Sequence, residues 1–405
     1  MTPDDALNEI LLTAEGHADP YSRYRFLHDN APAHRAPDGT LFLSGFADCH
    51  EVLRHESFGK AEGFLQRSDR TSADSSITLE DPNARTMLDL NPPDHTRIRG
   101  LVSRAFTPRR MKNLTPHIEA LAEECFDTIA EMGEVDLLEA VGFPLPVAVI
   151  GDLVGVPRAD WAKFRSLVTS SAMSIEPTAT PEELETASES AAEIYLYFLD
   201  LVAKKRADPA DDLLSAMLME SDGDQDSLSE SEAIINAMLM FAAGFETTTN
   251  LIGNGMAALL VQPDAVAELR EQPDLVGSAV EEMLRFDSPV QLDARSVLVP
   301  AQIAGVDLDV GANVVTLLGA ANRDPTQFTE PERFDIHRDE GPPMSFGSGI
   351  HYCLGANLAR VEGRTVVAGL LRRFSSIELS GPLVNRQRLT LRGYEAVPIK
   401  VTVNS

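Results

Sequence analysis

Between Ser229 and Pro263 the chain contains AIINAMLMFAAGFETTTNLIGNGMAALLVQ, a stretch that is apolar nearly all round. Ser229 and Glu232 have the spacing of a capping box, and Pro263 supplies the stop. At about 1.5 Å per residue, this segment makes a helix roughly 50 Å long. A helix with apolar residues on every face crosses a core rather than lying on a surface, so the rest of the chain must wrap around it. Helical periodicity recurs over roughly 47–55, 95–107, 115–132, 159–172, 181–206, 275–287 and 356–373. Alternating β-branched segments are fewer, at 40–44, 296–299, 302–303, 313–318 and 397–403. Neither an internal repeat nor a low-complexity tether interrupts the pattern. The expectation is one domain over 1–405, mainly α with small β-sheets and a long central helix.

Near the middle of that helix, Gly244 is followed by Glu246 and by Thr247, Thr248 and Thr249. Threonine lowers helix propensity and a carboxylate is costly to bury. By itself the segment reads either as a wet notch on a partly exposed helix or as a polar site inside the core.

The charge balance narrows the functional classes. Lys and Arg number 34 against 63 Asp and Glu, a net charge of −29, which argues against a general nucleic-acid binder. No run of 18 apolar residues occurs, so no membrane span is expected. The start of the chain, with Asp4 and Asp5, lacks the basic-then-apolar layout of a secretory leader. The three cysteines, Cys49, Cys125 and Cys353, are widely separated and odd in number. They form neither a disulfide framework nor a zinc quartet, and a cytoplasmic setting is expected.

Cys353 stands in unusual company, in Phe346-Gly-Ser-Gly-Ile-His-Tyr-Cys-Leu-Gly355, just ahead of the helical pattern ANLARVEGRTVVAGLLRRF. Gly347 and Gly349 permit a tight loop that residues with a Cβ resist. A cysteine at a helix start sits where the macrodipole favours an anion, so its thiol is biased towards thiolate. Gly355 leaves room for a flat ligand to approach the backbone, and His351 is a donor suited to a carboxylate. A thiolate here serves as a nucleophile, a redox thiol or a metal ligand. The redox reading wants a second cysteine close by, and the sequence has none.

The loop resembles the haem-ligand signature of the cytochrome P450 family, Phe-Gly-x-Gly-x-His-x-Cys-x-Gly, at every fixed position. Other segments agree in family order. Glu282-Met-Leu-Arg285 resembles the family's Glu-x-x-Arg, and with Arg333 of Pro331-Glu-Arg-Phe it implies a buried ion triad bracing the loop; Asn322-Arg-Asp-Pro325 also has a family counterpart. Ala243-Gly244-Phe245-Glu246-Thr247-Thr248 resembles the oxygen-activating motif. There the resemblance implies that Gly244 makes room for dioxygen, Thr247 hydrogen-bonds the distal oxygen, Glu246 feeds protons, and the helix kinks or widens. It further implies haem b (iron protoporphyrin IX) ligated by Cys353, with Ala243, Gly244, Phe346, Gly347 and Gly355 against the ring and His95, Arg99, Arg295 and His351 on its propionates. A thiolate ligand of this kind favours O–O cleavage.

The resemblance implies a monooxygenase acting with O2 on a hydrophobic small molecule. No flavin or nicotinamide fingerprint appears, so a separate ferredoxin and ferredoxin reductase are the expected electron donors. Residues 94–112 hold Arg97, Arg99, Arg104, Arg109, Arg110 and Lys112 against Asp94 alone. With Arg360 and Arg364 they form either a docking face for an acidic ferredoxin or a surface balanced by Glu119, Glu123 and Glu124. The substrate pocket is expected to draw on Phe64, Leu65, Leu88, Met173, Ile175, Met240, Val290, Leu292 and Tyr394, which suits a steroid, fatty acid, terpene or polyketide-type product. The competing readings are a non-catalytic haem sensor or scaffold, a peroxide-driven peroxygenase, which would usually lack the Glu246–Thr247 pair, and a haem-free cysteine hydrolase.

Overall fold

The capping box forms at Ser229. Its N–H donates to Glu232 Oε2 at 2.8 Å, and Glu232 N–H returns a bond to Ser229 Oγ at 3.1 Å. From it springs the long helix Glu230–Leu260, with 31 residues and about 46 Å of rise. Its residues are α-helical throughout, with no π-type widening at the notch. The computed structural model describes residues 1–60, 85–103, 106, 108–219 and 228–404, with side chains at 108–113 left out of the description. Phe64, Leu65 and Arg104 lie outside the described residues.

Contacts divide the chain into two compact units. One comprises Met1–Gly59, Pro116–Leu145 and Thr247–Ser405; the other comprises Lys60–Thr115 and Pro146–Glu246. Three of the four boundaries fall inside the helices Pro108–Met132, Pro144–Val154 and Glu230–Leu260, where no polar linker marks them in the sequence, and the fourth follows the strand Phe58–Gly59.

In the first unit a five-stranded sheet runs in the order Ala33–Arg35, Leu41–Leu43, Asn313–Thr316, Asp293–Val297, Phe58–Gly59. The Leu41–Leu43 and Asn313–Thr316 strands pair in parallel, with Phe42 opposite Val315. Leu41, Leu43, Val297 and Val314 from this sheet pack with Cys49, Val52 and Leu53 of the helix Phe46–Arg54 in one apolar core. A three-stranded sheet sets Pro398–Val403 between Glu134–Asp136 and Phe374–Leu379. The helices Val276–Phe286 and Ala356–Arg373 carry the motif residues of this unit.

The second unit has an aromatic core. Phe164 meets Phe241 edge-on at 4.7 Å and Tyr197 at 4.8 Å, and Phe241 continues to Phe245 at 5.8 Å. The apolar run of the long helix is thereby buried on the rings of the helices Trp161–Ser171 and Pro181–Ala207. No helix among the described residues is long and apolar enough to cross a membrane.

Candidate active site

The cysteine loop is built from two short 3-10 turns, Met344–Phe346 and Gly349–His351, separated by Gly347 at φ +67° and Ser348. Gly349 has φ +69°, and a Cβ there would lie 2.2 Å from the Leu53 carbonyl oxygen. Both the positive φ and the close approach demand glycine. The loop is closed by Cys353 N–H, which donates to the Phe346 carbonyl at 2.9 Å. Gly355 is the N-cap of Ala356–Arg373, so Cys353 is exposed just ahead of the helix's positive end. A Cβ built on Gly355 meets nothing within 4 Å, leaving that backbone open to a flat group. His351 is half-buried in the second turn.

Polar anchors hold the start of the loop. Met344 N–H donates to Asn322 Oδ1 at 2.6 Å, Asn322 Nδ2 donates to Ser345 Oγ at 2.8 Å, and Ser345 Oγ donates to the Leu284 carbonyl at 2.7 Å. Arg285 in turn donates to the carbonyls of Asn322 and Pro331, each at 2.9 Å, and to that of Arg333 at 3.1 Å. Its other donors grip Glu282 at 2.7 and 2.8 Å. The triad expected with Arg333 needs correction. The Arg333 side chain is 62% exposed and pairs with Glu330 and Asp335, while Arg338, 7% exposed, donates to Glu282 Oε2 at 3.1 Å. Arg333 contributes its carbonyl; Arg338 contributes the third charge. The sequence holds no signal for this choice, because both arginines stand in the same irregular stretch. Asn322 and Ser345 are equally illegible as anchors, although the Asn322–Pro325 motif marks the place.

Arg295 lies on the strand Asp293–Val297 and is 2% exposed. Its Nη1 donates to Asp293 Oδ2 at 2.6 Å and to the Ala294 carbonyl at 2.9 Å. Its Nη2 is buried with no hydrogen-bond partner among the described residues. A buried cationic donor held in this way is costly unless an anion meets it, which fits a ring carboxylate of haem. In the same unit Val290, Leu292 and Tyr394 are half-buried.

The other predicted positions lie in the second unit, apart from Thr247, with which the long helix passes into the first. His95 is buried in the helix Asp94–Ser103, with Arg99 four residues on and half-buried. Burial, and to a lesser degree the Arg99 charge, lowers the His95 pKa below the ordinary imidazole value. Along the long helix Ala243 is exposed, Gly244 and Thr247 are half-buried, and Glu246 is 3% exposed. This notch is the least covered part of an otherwise buried stretch.

Gly244 is also kept small by packing within its own unit. A Cβ there would meet Ile150 Cγ1 at 2.7 Å and Cδ1 at 2.8 Å, so the space it leaves is already filled by the helix Pro144–Val154. Among the expected pocket residues of this unit, Met240 is buried, Met173 and Ile175 are half-buried, and Leu88 is 44% exposed. Its neighbour Met87 is the buried side chain there, pinned by its N–H to Asn236 Oδ1 at 2.8 Å. Two of the basic residues assigned to a docking face are internally paired. Arg97 forks onto Glu232, and Arg360 forks onto Glu281. Glu123, expected opposite residues 94–112, instead pairs with Arg372 and Arg373.

A cysteine presented on a glycine-dependent loop ahead of a helix, together with a buried arginine that keeps one donor spare, fits a haem-thiolate class of centre. The sequence profile of the family described as Cytochrome P450 matches residues 182–390. The chain is 38% identical over 393 residues to "Cytochrome P450 monooxygenase PikC" of Streptomyces venezuelae, covering 95% of this chain and 91% of that protein. It is 39% identical over 388 residues to "Vitamin D(3) 25-hydroxylase" of Pseudonocardia autotrophica, covering 94% and 93%. The ligand-free crystal structure of Mycobacterium smegmatis CYP164A2 matches with a TM-score of 0.87 at 34% identity, covering 98% of this chain and 100% of that one. The chain belongs to the cytochrome P450 family, whose mainly α fold with small sheets it shares. It is accordingly an oxidoreductase, a monooxygenase that binds haem b.

Proposed function

We propose that Cys353 would hold haem as its thiolate ligand, that Glu246 and Thr247 manage protons at the reacting centre, and that the substrate is a hydrophobic molecule of sterol-like character. The observation that carries the reading is the closed Phe346–Gly355 loop, which holds one exposed cysteine at a helix start with both ends tied. When bound, thiolate-ligated haem supplies the electron push that favours O–O cleavage. The chain's own residues do the rest. Arg295 Nη2 would hold one propionate, and His95, Arg99 and His351 would serve the propionates as further donors. Phe346, Gly347, Gly355 and Ala243 border the ring. The Thr247 hydroxyl offers a hydrogen bond from its half-buried position, and Glu246 exchanges protons with water as a general acid and base.

The vitamin D3 hydroxylase relative makes a secosteroid the first compound to test. Met240, Met173, Ile175, Val290, Leu292 and Tyr394 would supply adaptable apolar surface for it. Electrons are proposed to come from a ferredoxin and its reductase. With Arg97 and Arg360 paired internally, the docking charge falls to Arg109, Arg110 and Lys112 on the helix Pro108–Met132.

The test is the carbon monoxide difference spectrum of chemically reduced protein. Wild type should give the thiolate-type band and Cys353→Ser should lose it; an imidazole-type band in wild type would refute the ligand assignment. A spectral titration with vitamin D3 and related sterols then tests the substrate class, saturable displacement of water from iron being the expected result.

A further inference from the structure

Arg360 lies on the Ala356–Arg373 helix and uses both its edge and its face. Nε and Nη2 donate to the two oxygens of Glu281, at 2.5 and 2.9 Å. Nη1 donates to the Tyr352 hydroxyl at 3.1 Å. The guanidinium carbon stands 4.5 Å from the centre of the Phe346 ring, and Phe346 meets Tyr352 edge-on at 6.3 Å. Phe346 and Tyr352 are the two ends of the loop that presents Cys353, the first through its carbonyl bond to Cys353 N–H and the second through the adjacent peptide. Glu281 belongs to the helix Val276–Phe286, the same element that carries Glu282 and Arg285. The side chain of Arg360 is 15% exposed and that of Glu281 is 32% exposed.

We propose that Arg360 is a positioning residue for the cysteine ligand, clamping both ends of the Phe346–Cys353 loop to Glu281. The inference rests on Cys353 being the haem ligand. The geometry requires arginine specifically. A planar fork satisfies a carboxylate with two parallel bonds, a third N–H reaches the phenol, and the flat face covers an aromatic ring. A lysine ammonium keeps the charge but not the fork or the stacking surface. Movement of Phe346 shifts the carbonyl that holds Cys353 N–H, so loosening the clamp loosens the sulfur. A residue that merely offers positive charge to an electron donor would tolerate lysine; a clamp does not.

The test uses haem-loaded wild type, Arg360→Lys, Glu281→Gln and Tyr352→Phe, all reduced chemically so that no protein donor takes part. Three quantities are read: the lifetime of the thiolate-type ferrous carbonyl band, the haem midpoint potential, and the melting temperature. Arg360→Lys and Glu281→Gln should shorten the band's lifetime about five-fold or more, the change that follows loss of an interaction of about 1 kcal/mol. Both should also move the potential in a common direction, with Tyr352→Phe following more weakly. The Glu281 and Tyr352 variants, which change few atoms at partly exposed positions, keep the test decisive if Arg360→Lys folds poorly. Lifetimes and potentials equal to wild type in Glu281→Gln and Arg360→Lys would overturn the clamp and leave the ligand assignment standing. Absence of the thiolate-type band in wild type would overturn both.

Discussion

Glu282 and Arg285, three residues apart on one helix and each 2% exposed, form a forked ion pair at 2.7 and 2.8 Å. Such a pair in water contributes little, but this one is closed off. Glu282 also accepts from the Asp335 N–H at 2.8 Å and from Arg338 at 3.1 Å. Arg285 spends its remaining donors on three carbonyls of the segments that lead to the cysteine loop. The charges therefore fix a loop position rather than simply adding stability, because burying both ions offsets much of their attraction.

That arrangement separates three arginines by their expected costs. Arg285→Ala leaves Glu282 buried without its fork and should cost about 3–5 kcal/mol. Arg338→Ala removes one bond to the same carboxylate and should cost about 1–3 kcal/mol. Arg333→Ala, at an exposed side chain, should fall within about 0.5 kcal/mol of wild type. Urea unfolding of the three variants checks the order. A cost at Arg333 equal to that at Arg338 would restore the triad expected from the sequence.

Thr247 is half-buried beside the buried Glu246. Thr247→Ala should therefore leave haem content and melting temperature close to wild type while wasting electrons. Product formed per NADH consumed should drop by roughly an order of magnitude or more, the scale of a lost acid–base contribution. The ratio is measured with any compound that gives a spectral shift. An unchanged ratio would remove Thr247 from proton handling.

Gly244 and Ile150 offer a test of why the helix carries glycine at that point. Alanine there gains up to about 1 kcal/mol of helix propensity but drives a methyl into Ile150, which typically costs about 1–3 kcal/mol. Net destabilisation is expected from Gly244→Ala alone. The added Ile150→Ala change, which clears the space, should recover part of it. Denaturation of both single variants and the double variant gives the coupling directly. Additive costs would show that Ile150 is not what excludes a side chain at Gly244.

Where the hydrophobic period is strong, the fold is legible. The reading of 229–262 ends within two residues of Glu230–Leu260, and 356–373 coincides with Ala356–Arg373. The N-terminal helices Ala14–Ala18 and Tyr21–Asn30 are not legible in this way, because side chains distant in sequence help to hold them. Arg392 reaches the His17 and Ala18 carbonyls, and Tyr21 donates to Asp287 at 2.5 Å. Pro144–Val154 escapes the pattern for another reason. PLPVAVIGDLV is apolar on nearly all sides and carries prolines at its start, so no period stands out. Within the site, motif residues are visible as residue types at fixed spacings. The partners that orient them, Arg338, Asn322, Ser345 and Glu281, come from separate segments and carry no pattern of their own.

Glu362 is a buried acid that none of the proposed chemistry uses. It sits on the Ala356–Arg373 helix at 1% exposure, and its Oε2 has no partner among the described residues. Burial pushes its pKa from an ordinary 4.5 up to about 8. The folded protein thus keeps this proton to about pH 8, while the unfolded chain releases it near 4.5. Between those values the folded state binds more protons, so stability is greatest at the acid end and falls as pH rises. Glu362→Gln keeps the shape and removes the titration. Its stability relative to wild type should increase by at least about 2 kcal/mol as pH rises from roughly 5 to 8, because a proton held only by the folded state contributes about 1.4 kcal/mol for every tenfold fall in proton concentration. Chemical unfolding at both ends of that window measures the difference, and parallel pH profiles for the two proteins would show that the Glu362 carboxyl is ionised in the fold.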